Sequence, residues 1–368
     1  MQRYYFLDAM RSILMMLGVV LHSAVVFSNN SWLLPEQESQ FYSQIVHFIH
    51  LFRMPAFFII SGFFCHLMLG RIGNLIFIKQ KFSRILIPLA ATAITLNSLQ
   101  NILLNDYRSE NMDLLSSGYW LQGSWISHLW FLISLMYFLI ISTVLKSITP
   151  KLSSILLSST VKIFTSSRCF LLILLPIISL VLIKLSNIAS LHIMNSEFNW
   201  EIAESIKYSI YFYFGIIIAR SPSILERFTR FDLPTVLLPS LIILALLNIE
   251  TTGSIWQDRI QLIINTILTW SLCYLCFILF NKLTNIPSKL FLYLSDASYT
   301  IYLFHHLLVI TFSILLNPVD IPNSLKFITV IGITFATTIM IHNYIICKFS
   351  IMSLLYNGKH PKRYKKTN

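Results

Sequence analysis

Charge is the scarcest property of this chain. Of its 368 residues 11% are charged, and acids are the rarer sign, with 15 Asp and Glu against 27 Lys and Arg. Hydrophobic residues make up 56% and the mean hydropathy is +0.71, too apolar for a soluble globule, so that class is excluded. Cysteine is sparse as well: five residues, an odd number falling mostly within apolar runs, imply no disulfide framework. Cys273 and Cys276 form a CxxC inside the apolar run 262–280, which reads as two small buried residues rather than a redox or metal site. No His/Glu pair stands at i, i+4 on one helix, and the adjacent His305 and His306 point apart, so no metal is expected. No internal repeat is evident. No small-residue cleavage site follows the first apolar run, which is expected to be a retained helix and not a signal peptide.

Long apolar runs are what the chain has in abundance. Runs of about 18 to 25 residues are long enough to cross a hydrocarbon layer as helices. Ten spans are expected, at 9–28, 45–69, 85–104, 129–147, 169–185, 206–219, 234–249, 260–280, 290–316 and 326–347, the sixth being the shortest. The fold class is thus an all-α polytopic membrane protein. The linkers are short, so one transmembrane domain is expected over residues 1–356, followed by a basic tail over 357–368.

The net charge of +12 reports topology rather than a nucleic-acid partner. With the N-terminus inside, the inner segments carry Arg3, Arg11, Arg71, Lys79, Lys81, Arg84, Lys146, Lys151, Arg220, Arg227, Arg230, Lys282, Lys289 and the basic tail. The outer loops carry almost only acids, among them Glu36, Asp106, Asp113, Glu197, Glu250 and Asp320. Such asymmetry places both termini in the cytoplasm and requires an even number of spans.

Polar residues at membrane depth mark the candidate site, because lipid cannot satisfy them. Arg11 and His22 lie eleven steps apart in the first span. On a helix that is about 1100°, roughly 20° past three full turns, over about 16 Å, so both occupy one stripe. Arg53 falls about 12 to 14 Å inside the second span, followed by Pro55, which kinks a helix, and by Ser61-Gly62, which permits close helix approach. The fourth span opens with Ser127-His-Leu-Trp-Phe-Leu, where His128 and Trp130 are either an interfacial anchor at the outer surface or a substrate contact. In the ninth span Asp296 lies near the inner face, and Ser298, Tyr302 and His305 share one face. His306 is turned about 100° away from His305 and reads as an interface residue. His47, His50, His66, His192 and His342 stay unassigned.

These motifs resemble a known family, the bacterial multi-span membrane acyltransferases called acyltransferase family three. The resemblance rests on Phe6-Leu-Asp-Ala-Met with Arg11 and His22, on His50-Leu-Phe-Arg-Met-Pro with Phe57-Phe-Ile-Ile-Ser-Gly-Phe, on Lys81-Phe-Ser-Arg-Ile-Leu-Ile-Pro88, on Ser127-His-Leu-Trp-Phe-Leu, and on Ala297-Ser-Tyr-Thr-Ile-Tyr-Leu-Phe-His-His306. It is similar in particular to the branch that succinylates osmoregulated periplasmic glucans, although Leu307 stands where that branch commonly has proline.

The resemblance implies transfer of an acyl group, succinyl or acetyl, from cytoplasmic acyl-CoA to a hydroxyl of a glycan across the inner membrane. Acyl-CoA is then a co-substrate, with no permanently bound cofactor. Arg11, with Lys79, Lys81 and Arg84, would hold the donor phosphates. His22 would act as general base or carry the acyl group covalently. Asp8 would orient Arg11, and Arg53 or a backbone amide near Ser61 would stabilise the oxyanion. A transporter or flippase for a polar solute, lined by Arg11, His22, Arg53 and His305, is the alternative.

Overall fold

The structure is a computed structural model that describes residues 3–29, 31, 33–34, 39–109, 116–148, 170–192, 197–247 and 253–359. Of the residues named above, Glu36, Asp113, Lys151, Glu250 and the tail beyond Lys359 lie outside the described residues. Helices α1 (Tyr5–Val26), α2 (Gln40–Leu69) and α3 (Asn74–Thr92) come first. A π-helical turn, Ala93–Asn97, joins α3 to α4 (Ser98–Arg108). Next are α5 (Ser117–Gln122), a 3-10 turn Ser127–Leu129, and α6 (Trp130–Ile148). There follow α7 (Leu175–His192), α8 (Glu197–Arg220), α9 (Pro222–Thr229), α10 (Leu233–Leu247) and α11 (Ser254–Thr284). Last come α12 (Lys289–Leu316), α13 (Asn323–Ile341), a π-helical turn His342–Ile346 and α14 (Ser350–Asn357); a further π-helical turn, Phe170–Leu174, leads into α7. No strand occurs among the described residues.

Among the described residues nine segments are long and apolar enough to cross a membrane, and α9 with α10 make a tenth if that pair, bent by 63°, is one span. Parity decides the count. Arg11 on α1 meets Ser295 on α12, and eleven residues further along His22 meets His305 and His306, so α1 and α12 run parallel. Six of the long segments lie between them among the described residues, and six crossings would leave α1 and α12 antiparallel. The bent pair supplies the seventh crossing. The sixth expected span is a full helix: Glu204 and Lys207 pair at 3.1 Å, and Glu201 is buried, so its charges do not shorten it. It is the seventh span, α10, that is short and broken off from α9 at Arg230–Asp232.

Close backbone approach sets the core. A Cβ on Gly62 would lie 1.9 Å from the Phe212 carbonyl oxygen, and one on Gly215 would lie 2.0 Å from that of Ile59. Small residues let α2 and α8 cross at backbone contact, as the Ser61-Gly62 pair suggested. Around this crossing pack aromatic rings, including Phe58 on Tyr208 and Phe138 on Phe212.

The two chain ends lie at one end of the bundle. Tyr4 packs on Phe63, and Gly358 (φ +56°) sits against the backbone of Ser83 and Arg84. Helix α14 was not expected from the sequence. It docks on α3 and the π-turn through Tyr356, whose hydroxyl shares a 2.9 Å hydrogen bond with Thr95. The prediction is that reporter fusions at Arg227, Lys151 and Lys366 read cytoplasmic, and those at Asp113, Glu197 and Asp320 read external, following the lysine and arginine excess. Two of the six reading the opposite side would overturn the ten-span topology.

Candidate active site

Two polar clusters lie along the α1–α12 seam. At the terminal end, Arg11 donates to the Ser295 hydroxyl at 2.5 Å and stands 3.8 Å from Asp8. Asp8 is held more closely by Arg3, at 2.9 Å, so it bridges two arginines rather than serving Arg11 alone. Lys81 and Arg84 stand within electrostatic range of Arg11. Pro88 explains part of this layout: having no N–H, it leaves the Arg84 carbonyl without its helical donor, and the Tyr299 hydroxyl donates to that oxygen at 3.2 Å. Asp296 faces elsewhere, paired with Lys359 and 3.8 Å from His342.

About 16 Å further along α1, four imidazoles meet. The ring of His22 lies 5.1 Å from that of His305 and 4.6 Å, edge-on, from that of His306. His128 stacks on His306 at 5.0 Å and stands 5.4 Å from His305. The last three are buried, whereas His22 is only partly covered, so His22 is the imidazole that faces open space.

Hydrogen bonds fix where the protons sit. His305 Nδ1 contacts the Tyr302 carbonyl at 2.6 Å. A carbonyl only accepts, so Nδ1 carries the proton and Nε2 keeps the lone pair in the neutral ring. That Nε2 is buried without a hydrogen-bond partner, as are both ring nitrogens of His128. His306 Nδ1 meets Gln100 Oε1 at 2.6 Å, which by the same logic leaves the lone pair on its Nε2. The Tyr302 hydroxyl donates to the His128 carbonyl at 2.7 Å and pins the start of the fourth span to α12. Ser127, just before it, adopts φ +45°, an uncommon conformation for a residue with a side chain, and one that clusters at functional sites.

Arg53 lies one turn below this group. Its Nε donates to the Leu14 carbonyl at 3.0 Å, and no carboxylate pairs with it among the described residues. Gly18 makes the room: a Cβ there would fall 2.6 Å from an Arg53 guanidinium nitrogen and 3.3 Å from His305 Nε2. The guanidinium thus borders the imidazoles at the depth its place in the second span suggested.

The structure therefore brings His22, His305, Tyr302 and Arg53 together, and separately gathers Asp8, Arg11 and Arg84. Ser298 lies buried between the clusters, its hydroxyl donating to the Ser295 carbonyl. Ser61 is about 12 Å along α2 from Arg53, inside a continuous helix whose amides bond one another, so no free amide is offered there. Trp130 packs on Tyr208 and Phe58, on the α2–α8 side. His306, read as an interface residue, is nearer His22 than His305 is. His128, read with Trp130 as an interfacial anchor or a substrate contact, joins the imidazoles while Trp130 does not. Gln100 was missed; its signal was an isolated polar residue at the edge of an apolar run. No group of three or more metal-ligating side chains forms among the described residues.

Four imidazoles beside a buried arginine, with a second cationic cluster about 16 Å away along α1, form an arrangement suited to group transfer. A family described as an acyltransferase domain matches residues 4–343. The chain belongs to that acyltransferase family. This membership separates it from the transporter reading. It is 28% identical over 370 residues to glucans biosynthesis protein C of Salmonella schwarzengrund (strain CVM19633), covering 98% of this chain and 96% of the relative. The protein of the same name from Escherichia coli (strain K12) is 28% identical over 372 residues, covering 97% and 95%, and that of Salmonella typhi is 27% identical over 370 residues, covering 98% and 96%. No solved structure matches.

Gly18 gives the sharpest test of this geometry. Gly18→Ala displaces the mobile tip of Arg53 and not the backbone, so the thermal midpoint in detergent is expected to stay nearly unchanged. The acyl-transfer rate should fall at least about ten-fold, since a misplacement of about 1 Å at a reacting centre costs up to 10²-fold. Wild-type kinetics in this variant would show that the placement of Arg53 beside His305 is irrelevant to the reaction.

Proposed function

We propose that this acyltransferase moves an acyl group, succinyl or acetyl, from cytoplasmic acyl-CoA to a hydroxyl of a glycan on the far side of the bacterial inner membrane. The reading is supported above all by the two clusters on one seam, cationic at the end that holds the chain termini and imidazole-rich about 16 Å deeper. Arg11, Lys81 and Arg84 suit the phosphates of the donor, guanidinium being matched to bidentate phosphate contacts. The pantetheine arm is on the order of the rise between Arg11 and His22, so a thioester anchored at one cluster reaches the other. The glucan part of the reading is supported by the names of the relatives.

The step balances as follows. A nitrogen of His22 takes the proton of the acceptor hydroxyl as its oxygen attacks the thioester carbonyl. The oxyanion of the tetrahedral intermediate develops beside the Arg53 guanidinium, in a site where low dielectric strengthens the attraction. Collapse breaks the carbon–sulfur bond, and the departing thiolate takes the proton back from His22. The rings of His305 and His306 stand 5.1 and 4.6 Å from that of His22 and pack around the transient imidazolium.

Two outcomes test this. His22→Ala is expected to abolish acyl transfer in protein that still inserts and folds, measured as free CoA released from an acyl donor with acceptor present. Activity above about a tenth of wild type is incompatible with a base worth 10² to 10⁴ in rate. Arg53→Gln is expected to reduce succinyl transfer far more than acetyl transfer, because only succinate brings a carboxylate whose burial needs a counter-charge. An equal fall in both rates would assign Arg53 to the oxyanion and place donor selection elsewhere.

A further inference from the structure

Beside the imidazole cluster, where the chain enters the fourth span, lies an aromatic shelf that the reaction above does not use. Between α5 and the 3-10 turn, the rings of Trp120 and Trp125 lie 6.3 Å apart and 32° from parallel, and Tyr119 meets Trp120 edge-on at 5.2 Å. Trp120 is 37% exposed, while Tyr119 is buried beneath it. The indole N–H of Trp125 donates to the Trp120 carbonyl at 3.1 Å. An interfacial belt tryptophan turns that N–H toward water and headgroups; here it is spent on fixing the shape of the loop.

A polar stripe ties this shelf to the imidazoles. The π-turn before α4 sets Asn97, Gln100 and Asn101 on one face, at steps of three and four. Asn101 donates to the Tyr119 hydroxyl at 2.9 Å, and Asn97 donates to the Trp125 carbonyl at 2.8 Å. Gln100, between them, takes the His306 proton on its oxygen and reaches the exposed Ser127 hydroxyl at 3.5 Å with its nitrogen. The Oδ1 of Asn97 is buried and has no hydrogen-bond partner, an acceptor left open at the same junction.

We infer that the Trp120–Trp125 shelf, with Ser127 at its inner edge, is an acceptor subsite that holds a sugar unit of a glycan while a neighbouring hydroxyl reaches His22. The ring of a hexopyranose has an apolar face of C–H groups that packs on an indole, and a rim of hydroxyls that asks for amide and hydroxyl partners. The shelf supplies the first, and the exposed Ser127 hydroxyl, held from behind by the buried Gln100 amide, supplies the second. The assignment rests on the glycan reading of the acceptor.

The test uses full-length protein in detergent, with glucose oligosaccharides of increasing length as probes. Trp120→Ala is expected to raise KM for the longer oligosaccharides about ten-fold, the scale of one aromatic contact, with a smaller change in kcat. Trp120→Phe should retain most of the affinity. Because the alanine variant risks misfolding, tryptophan emission of the wild type is also titrated with oligosaccharide and no acyl donor; a saturable change reduced by Trp120→Phe supports the subsite. Equal KM in wild type and Trp120→Ala overturns it, and so does a wild type that binds no oligosaccharide. A wild type that binds through Trp120 but transfers no acyl group upholds the subsite and overturns the transfer to glucan instead.

Discussion

Everything in this bundle answers to the cost of holding Arg53 in hydrocarbon. An arginine at the centre of a membrane helix is unfavourable by at least about 2.5 to 3.5 kcal/mol on insertion scales, and by more where it cannot reach the surface. Here no carboxylate offsets it among the described residues. The Leu14 carbonyl takes one N–H, and Gly18 leaves the space in which the rest of the guanidinium meets His305. That forces α1, α2 and α12 together face to face. The cation that makes the core costly is also the one that the proposed transfer assigns to the oxyanion, so in that proposal the cost and the use belong to the same contact.

The surrounding helices hold the geometry by removing backbone freedom at defined places. Gly62 and Gly215 lock α2 to α8 at backbone distance, which fixes the rotation of α2 and therefore the direction of Arg53. Pro88 frees the Arg84 carbonyl, and Tyr299 claims it, so α3 and α12 cannot slide past one another. The π-turn that follows re-phases α4 so that Gln100 faces His306. The last two devices are departures from regular helix, and each stands beside one of the two polar clusters. Regular helices supply the membrane crossing, and the interruptions aim the side chains.

Tautomer control is the subtler consequence. A neutral imidazole presents one donor and one acceptor, and in water the two nitrogens exchange roles freely. Anchoring Nδ1 of His305 on a carbonyl and that of His306 on an amide oxygen removes that choice. Each ring is thereby held in one tautomer beside His22, with the lone pair of its neutral form on Nε2.

Much of this was legible in the chain alone. Hydropathy determined a polytopic helical protein, because it depends only on local composition and on the thickness of the bilayer. The stripe from Arg11 to His22, and the depth of Arg53, followed from helix pitch for the same reason. What helix pitch leaves open is the identity of the partner across the interface. That His128 and Gln100 close the cavity, that both His305 and His306 face it, that Ser61 stands apart from it, and that Asp8 is shared with Arg3 were decided by helix rotation and packing between segments up to 300 residues apart in sequence. A periodic pattern gives the phase of each helix about its own axis; only the packed bundle gives the neighbours that phase is set against.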